Sequence, residues 1–153
     1  MHKTRILVAI LFTLASLQLF AQKPDYSGTW VLNLEKSKLE SAKATKITKV
    51  VFIIRQEGNK FKLTRYHYFG DKSKKLSIKM MADGQTRKMK LLFKSKLEWM
   101  EDHLKASIWR NNFSNIVSYR FGENNNEFIA DEVFTSSSQN YHNYWVFERD
   151  IRK

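Results

Sequence analysis

The chain has 153 residues, with 27 Lys and Arg against 15 Asp and Glu, and no cysteine. The missing cysteine excludes disulfides, thiolate metal sites, thiol nucleophiles and a cysteine-borne lipid anchor. The cationic excess favours anionic partners such as lipid headgroups, acidic glycans or nucleic acid, although lysines spread along a chain also serve solubility.

The N-terminus reads as a secretory leader. His2, Lys3 and Arg5 are followed by the apolar run Ile6–Phe20 and then by the small residue Ala21. That run is shorter than the roughly 20 residues needed to cross a bilayer core. The order basic, apolar, small is that of a cleaved signal peptide. Residues 1–21 are therefore expected to be removed, and residues 22–153 to form one domain, secreted or periplasmic and not membrane-spanning.

From Gly28 onward, apolar and polar residues alternate, and turn residues interrupt the alternation roughly every 8–12 positions, as in all-β barrels and sandwiches. Gly28–Leu34 places Trp30, Leu32 and Leu34 on one face, and Ile47–Gln56 is apolar on both faces at its centre. Glu57-Gly58-Asn59-Lys60 is a hairpin connection, and Phe61–Phe69 is the return strand. Lys74–Met80 alternates cleanly. Asp83-Gly84 then predicts a hairpin to Thr86–Phe93, with Met89, Leu91 and Phe93 on one side. Leu97–Glu101 and Leu104–Arg110 form another pair, as do Ile116–Phe121 and Glu127–Thr135. Tyr141–Arg149 closes the chain, with Tyr141, Trp145 and Phe147 on one face. The longest link, Glu35–Lys46, has room for a helical turn. About 8–10 sequential strands predict an all-β, antiparallel up-and-down barrel, because closure removes exposed sheet edges.

Tyr26-Ser27-Gly28-Thr29-Trp30, followed by Lys36-Ser37, resembles the opening of the lipocalin-like (calycin) proteins, in particular the small exported ones of Bacteroidetes-type bacteria. Gln56-Glu57-Gly58-Asn59, Asp83-Gly84 and Val146-Phe147-Glu148-Arg149 fall where such chains carry turn and closing-strand motifs. The resemblance implies that Gly28 and Trp30 are structural, and that a late basic residue, with Arg149 the first candidate, packs on the Trp30 ring. The chain differs from that family in having neither a C-terminal helix pattern nor a disulfide.

Signals for catalysis are sparse. His67, His103 and His142 are far apart and form no metal-ligand spacing, so no metal site is expected. There is no Gly-x-Ser-x-Gly elbow and no phosphate-cradling glycine loop, so no enzyme and no cofactor is expected. Asp131 and Glu132 must face opposite sides of a strand. If Glu132 shares the face of Phe128 and Phe134, it is a polar contact for a ligand; otherwise it pairs with Arg120 or Arg110. The aromatic residues, 11 Phe, 6 Tyr and 4 Trp, suit either a lumen for an amphipathic ligand or a packed core. Export argues against nucleic acid as the partner of the aromatic and basic segment Lys60–Tyr68.

The function expected is that of a binding protein holding a small apolar or amphipathic ligand, with lysines at the rim drawing an acidic headgroup. Strand alternation nominates Phe52 and Ile54, Leu63 and Arg65, Ile78 and Met80, and Met89 and Leu91 as lumen residues. Trp99, Phe128, Glu132 and Trp145 complete the set. The alternative is a solid barrel that docks on an envelope protein or acidic glycan through its basic surface.

Overall fold

The computed structural model describes residues 23–89 and 92–151. The expected leader and lumen candidate Leu91 lie outside them. Among the described residues, eleven strands form one sheet. They are β1 Gly28–Leu32, β2 Lys38–Leu39, β3 Lys49–Glu57, β4 Lys60–Phe69, β5 Lys72–Met81 and β6 Arg87–Lys88, followed by β7 Lys94–Trp99, β8 Leu104–Arg110, β9 Phe113–Phe121, β10 Glu127–Ser136 and β11 Asn140–Arg149. The order is β5-β4-β3-β1-β11-β10-β9-β8-β7-β6, with β2 added to β11. Every pairing between these strands is antiparallel, and β1 joins the chain's two ends by pairing with both β3 and β11.

The alternation sets the inner face. Phe52 on β3 lies opposite Trp30 and Arg65, and Phe128 on β10 lies between Phe121 and Phe147. Gly58, with φ +58°, makes the β3–β4 hairpin, a conformation that costs glycine little. A 3-10 turn at Ala44–Lys46 occupies the long link, and Ala44 and Ile47 are buried in the core.

One expected hairpin is absent. Asp83-Gly84 does not return the chain along β5. The Asp83 carboxylate accepts hydrogen bonds from the Arg87 guanidinium and the Gln85 N–H, and the Gly84 N–H donates to the Leu97 carbonyl. These bonds carry the chain across to β7, so the short β6 pairs with β7 rather than β5. The sheet's two ends meet through the parallel bridge Ala82–Leu97, between the residue after β5 and the middle of β7. The barrel is thus drawn together at this end. Away from the bridge, Leu76 on the inner face of β5 is still 45% exposed. The exposed edge β5 carries Lys72, Lys74, Lys75 and Lys79, charges that oppose edge-to-edge pairing.

Candidate functional site

The end near the Ala82–Leu97 bridge is sealed by aromatic rings. Trp30 is 0% exposed and packs against Phe121 and Phe128. Its indole N–H donates to the Tyr26 carbonyl, and the Tyr26 hydroxyl donates to the Tyr119 carbonyl. Burial, with the charge of Asp102 adding to it, pushes the Tyr26 hydroxyl up to about 12. The Arg149 guanidinium lies 4.3 Å from the Trp30 ring centroid and donates to the Ser27 carbonyl. Such a stack contributes about 0.5–2 kcal/mol. Gly28 makes room for it. Its φ is +150°, and a Cβ there would lie 2.7 Å from an Arg149 nitrogen. Trp99 plugs the same end, stacked on Tyr26 and against Phe61, with its N–H on Asn59. It seals the barrel rather than lining a cavity, because β7 ends there at the bridge.

Three interior cavities follow. The largest, about 50 Å³, is lined by Phe52, Leu63, Arg65, Ile78 and Met80, facing Ala106, Asn115, Val117 and Tyr119 across the open seam. A second, about 10 Å³, is bounded by Arg65, His67, Glu132 and Trp145. A third, also about 10 Å³, lies toward the sealed end among Ile54, Leu63 and Phe128. Phe52 and Tyr119 border all three, with ring centroids 6.3 Å apart. These two rings divide the lumen. Among the expected lumen residues, Met89 lines none of these cavities. It lies past the short β6, which ends at Lys88, and its N–H donates to the Phe93 carbonyl.

The middle of the lumen is polar. Glu132 is 8% exposed, and its carboxylate accepts hydrogen bonds from Asn115 Nδ2 (3.0 Å), Asn143 Nδ2 (2.9 Å) and Trp145 Nε1 (2.8 Å). Neither Arg110 nor Arg120 reaches it. Arg110 packs over Phe93 and Arg120 over Tyr144. Asn143, 1% exposed, ties this carboxylate to the long link, since its Oδ1 accepts from the Glu40 and Ser41 N–H groups. Arg65 packs over the Phe52 ring and has no hydrogen bond or ion pair among the described residues.

His67 faces the second cavity. Burial, followed by the charges of Arg65 and Lys43, lowers its imidazole to about 4, so it is neutral at pH 7. Lys74 acts on it in the same direction. Burial also pushes the Tyr119 hydroxyl up to about 12. His142 and His103 lie elsewhere, paired with Asp131 and Asp102. Among the described residues no cluster of three or more potential metal ligands occurs, and no helix is long and apolar enough to cross a membrane.

Alternation could have located Asn115 and Asn143. Asn115 shares the parity of Val117 and Tyr119, and Asn143 that of Trp145, so a polar residue on an apolar face was the available signal. Starting the strand at Ile116 left Asn115 out.

The fold is an all-β antiparallel barrel, similar to those of fatty-acid- and bile-acid-binding proteins. Three solved structures carry that likeness. A fatty acid transporter, REP1-NXSQ, is 11% identical, with 84% of this chain and 98% of that chain covered and a TM-score of 0.61. Fatty-acid-binding protein 1 of Echinococcus granulosus is 14% identical, with coverage of 81% and 96% and a TM-score of 0.59. The zebrafish ileal bile acid-binding protein, complexed with cholic acid, is 13% identical, with coverage of 82% and 98% and a TM-score of 0.56. No protein-family model matches the sequence, and no curated protein does.

Proposed function

We propose that this chain is a non-catalytic exported binding protein of the lipocalin-like type found in Bacteroidetes-type bacteria, holding a small apolar or amphipathic ligand in its lumen. The observation that carries this reading is Arg65. A half-buried guanidinium borders two cavities, one lined mostly by apolar side chains and one shared with His67 and Glu132, and no carboxylate is bound to it. A charge in such a place is costly until a counter-charge reaches it, and an acidic headgroup supplies one. Lys43 and Lys74, whose fields reach His67, extend positive potential toward the end opposite the bridge. Similarity of fold to proteins that carry fatty acids and bile acids supports the ligand class. Export rests on the basic, apolar, small pattern of residues 1–21.

Lipid-sized ligands occupy pockets of roughly 300–1,000 Å³, more than the divided cavities offer. Entry therefore requires the lining to part more widely, with Phe52 and Tyr119, which border all three cavities, among the side chains that move. Titration with a fluorescent fatty acid should show saturable binding. Phe52→Ala, which removes half of the partition, should tighten it several-fold. Absence of saturable binding in both proteins would return the barrel to the solid, docking alternative.

A further inference from the structure

Asn115 holds a buried hydrogen-bond acceptor that the protein leaves unused. Its Oδ1 has no hydrogen-bond partner, and its orientation is not arbitrary. Nδ2 lies 3.0 Å from the Glu132 carboxylate, and an ionised carboxylate only accepts, so the amide must present nitrogen there and turn its oxygen elsewhere. Exchanging the two atoms would set oxygen against oxygen. The remaining Glu132 contacts, from Asn143 and Trp145, hold that carboxylate in place. The acceptor is thus fixed by its surroundings. Buried polar atoms in native proteins nearly always find a partner, and leaving one without costs free energy.

Asn115 also borders the roomiest of the three interior cavities, one of the two that Arg65 lines. Arg65 lines that cavity with Phe52, Ile78, Met80 and Val117, and the Asn115 oxygen lies behind its wall, closed to water until a ligand parts the lining. A space of about 50 Å³ takes only a few non-hydrogen atoms. Groups that satisfy Arg65 and Asn115 at once must therefore lie near each other on one molecule.

Resting on the lumen-binding reading above, we infer that the ligand is an apolar chain ending in an anion with an O–H or N–H close beside it, the anion on Arg65 and the donor on Asn115 Oδ1. Hydroxy fatty acids and N-acyl amino acids have that chemistry, whereas a plain fatty acid leaves Asn115 unpaired.

The test is displacement of a fluorescent fatty acid from the mature protein by hexadecanoate, its methyl ester, 2- and 3-hydroxyhexadecanoate and N-hexadecanoylglycine. At least one of the three donor-bearing acids should bind tenfold or more tighter than hexadecanoate, and the methyl ester should bind at least tenfold weaker. Asn115→Leu should erase the preference for the donor-bearing acids over hexadecanoate. If that variant does not fold, the ranking on the unaltered protein decides alone. Binding of all the acids with equal affinity would overturn the inference and leave the lumen reading standing, with water serving Asn115. No displacement and no probe binding would overturn both.

Discussion

The two ends of this barrel bury aromatic rings by different means. At the bridged end, Tyr26, Trp30, Phe121 and Phe128 pack on one another, and each polar tip is satisfied by a backbone carbonyl close by. At the opposite end, Phe93, Phe113, Phe134 and Tyr141 form a chain of ring contacts. The polar groups beneath them satisfy one another through Glu132, Asn115 and Asn143, and Arg65 and one amide oxygen are left over. The Tyr119 carbonyl belongs to β9 and the Tyr26 and Ser27 carbonyls lie just before β1, so the first arrangement is anchored on backbone. A side-chain network with vacancies is costly by itself and is suited to being completed by a ligand. Stability and binding are thus separated along the barrel axis.

The sharpest way to break that separation is Trp30→Ala. It removes the most deeply buried indole and should cost about 3–5 kcal/mol in urea denaturation. Any protein that stays folded should still bind the probe. Next, Glu132→Leu takes the shared acceptor from three donors, of which Asn143 keeps a long bond to Ser41, and should cost about 2–4 kcal/mol, with binding altered as well as stability. If it stabilised the fold instead, the polar cluster would be no part of the native network.

A smaller effect distinguishes the ends by pH. His67 titrates near 4 in the folded chain and at 6.5 when free of its surroundings. Between those values the unfolded chain takes up a proton that the folded chain resists. Stability should therefore fall as pH drops from 6.5 to 4, by about 1–3 kcal/mol given partial exposure. His67→Gln should flatten that profile. The smallest effect belongs to the sealed end's outer surface, where Lys36 pairs with Glu127 and Glu148. Lys36→Gln should leave the denaturation midpoint where it was, because exposed pairs contribute little.

Much of this was legible in the residues. Period-two alternation marks an inner face, so Phe52, Leu63, Arg65, Glu132 and Trp145 could be nominated before any fold was known. The Arg149–Trp30 stack followed from family resemblance, and its 4.3 Å geometry supplies the physical reason for Gly28. Asp83-Gly84 misled because the local preference for a hairpin was outcompeted by the Asp83–Arg87 clamp, which lowers the Asp83 carboxyl to about 2, and by the long-range bond from Gly84 to Leu97. Exposure of Leu76 depends on where β5 and β7 part, and the contact of Phe52 with Tyr119 on how β3 and β9 face each other across the lumen. No local pattern records that.

The most direct test of the central proposal is native mass spectrometry of the mature protein, purified gently from its own organism and compared with its denatured mass. A reproducible excess mass released on denaturation, corresponding to an acidic lipid with a hydroxyl or amide N–H, is the expected result, on a chain beginning at Gln22. A bare mass, with no uptake of the fluorescent fatty acid, would contradict a carrier lumen and leave a solid barrel.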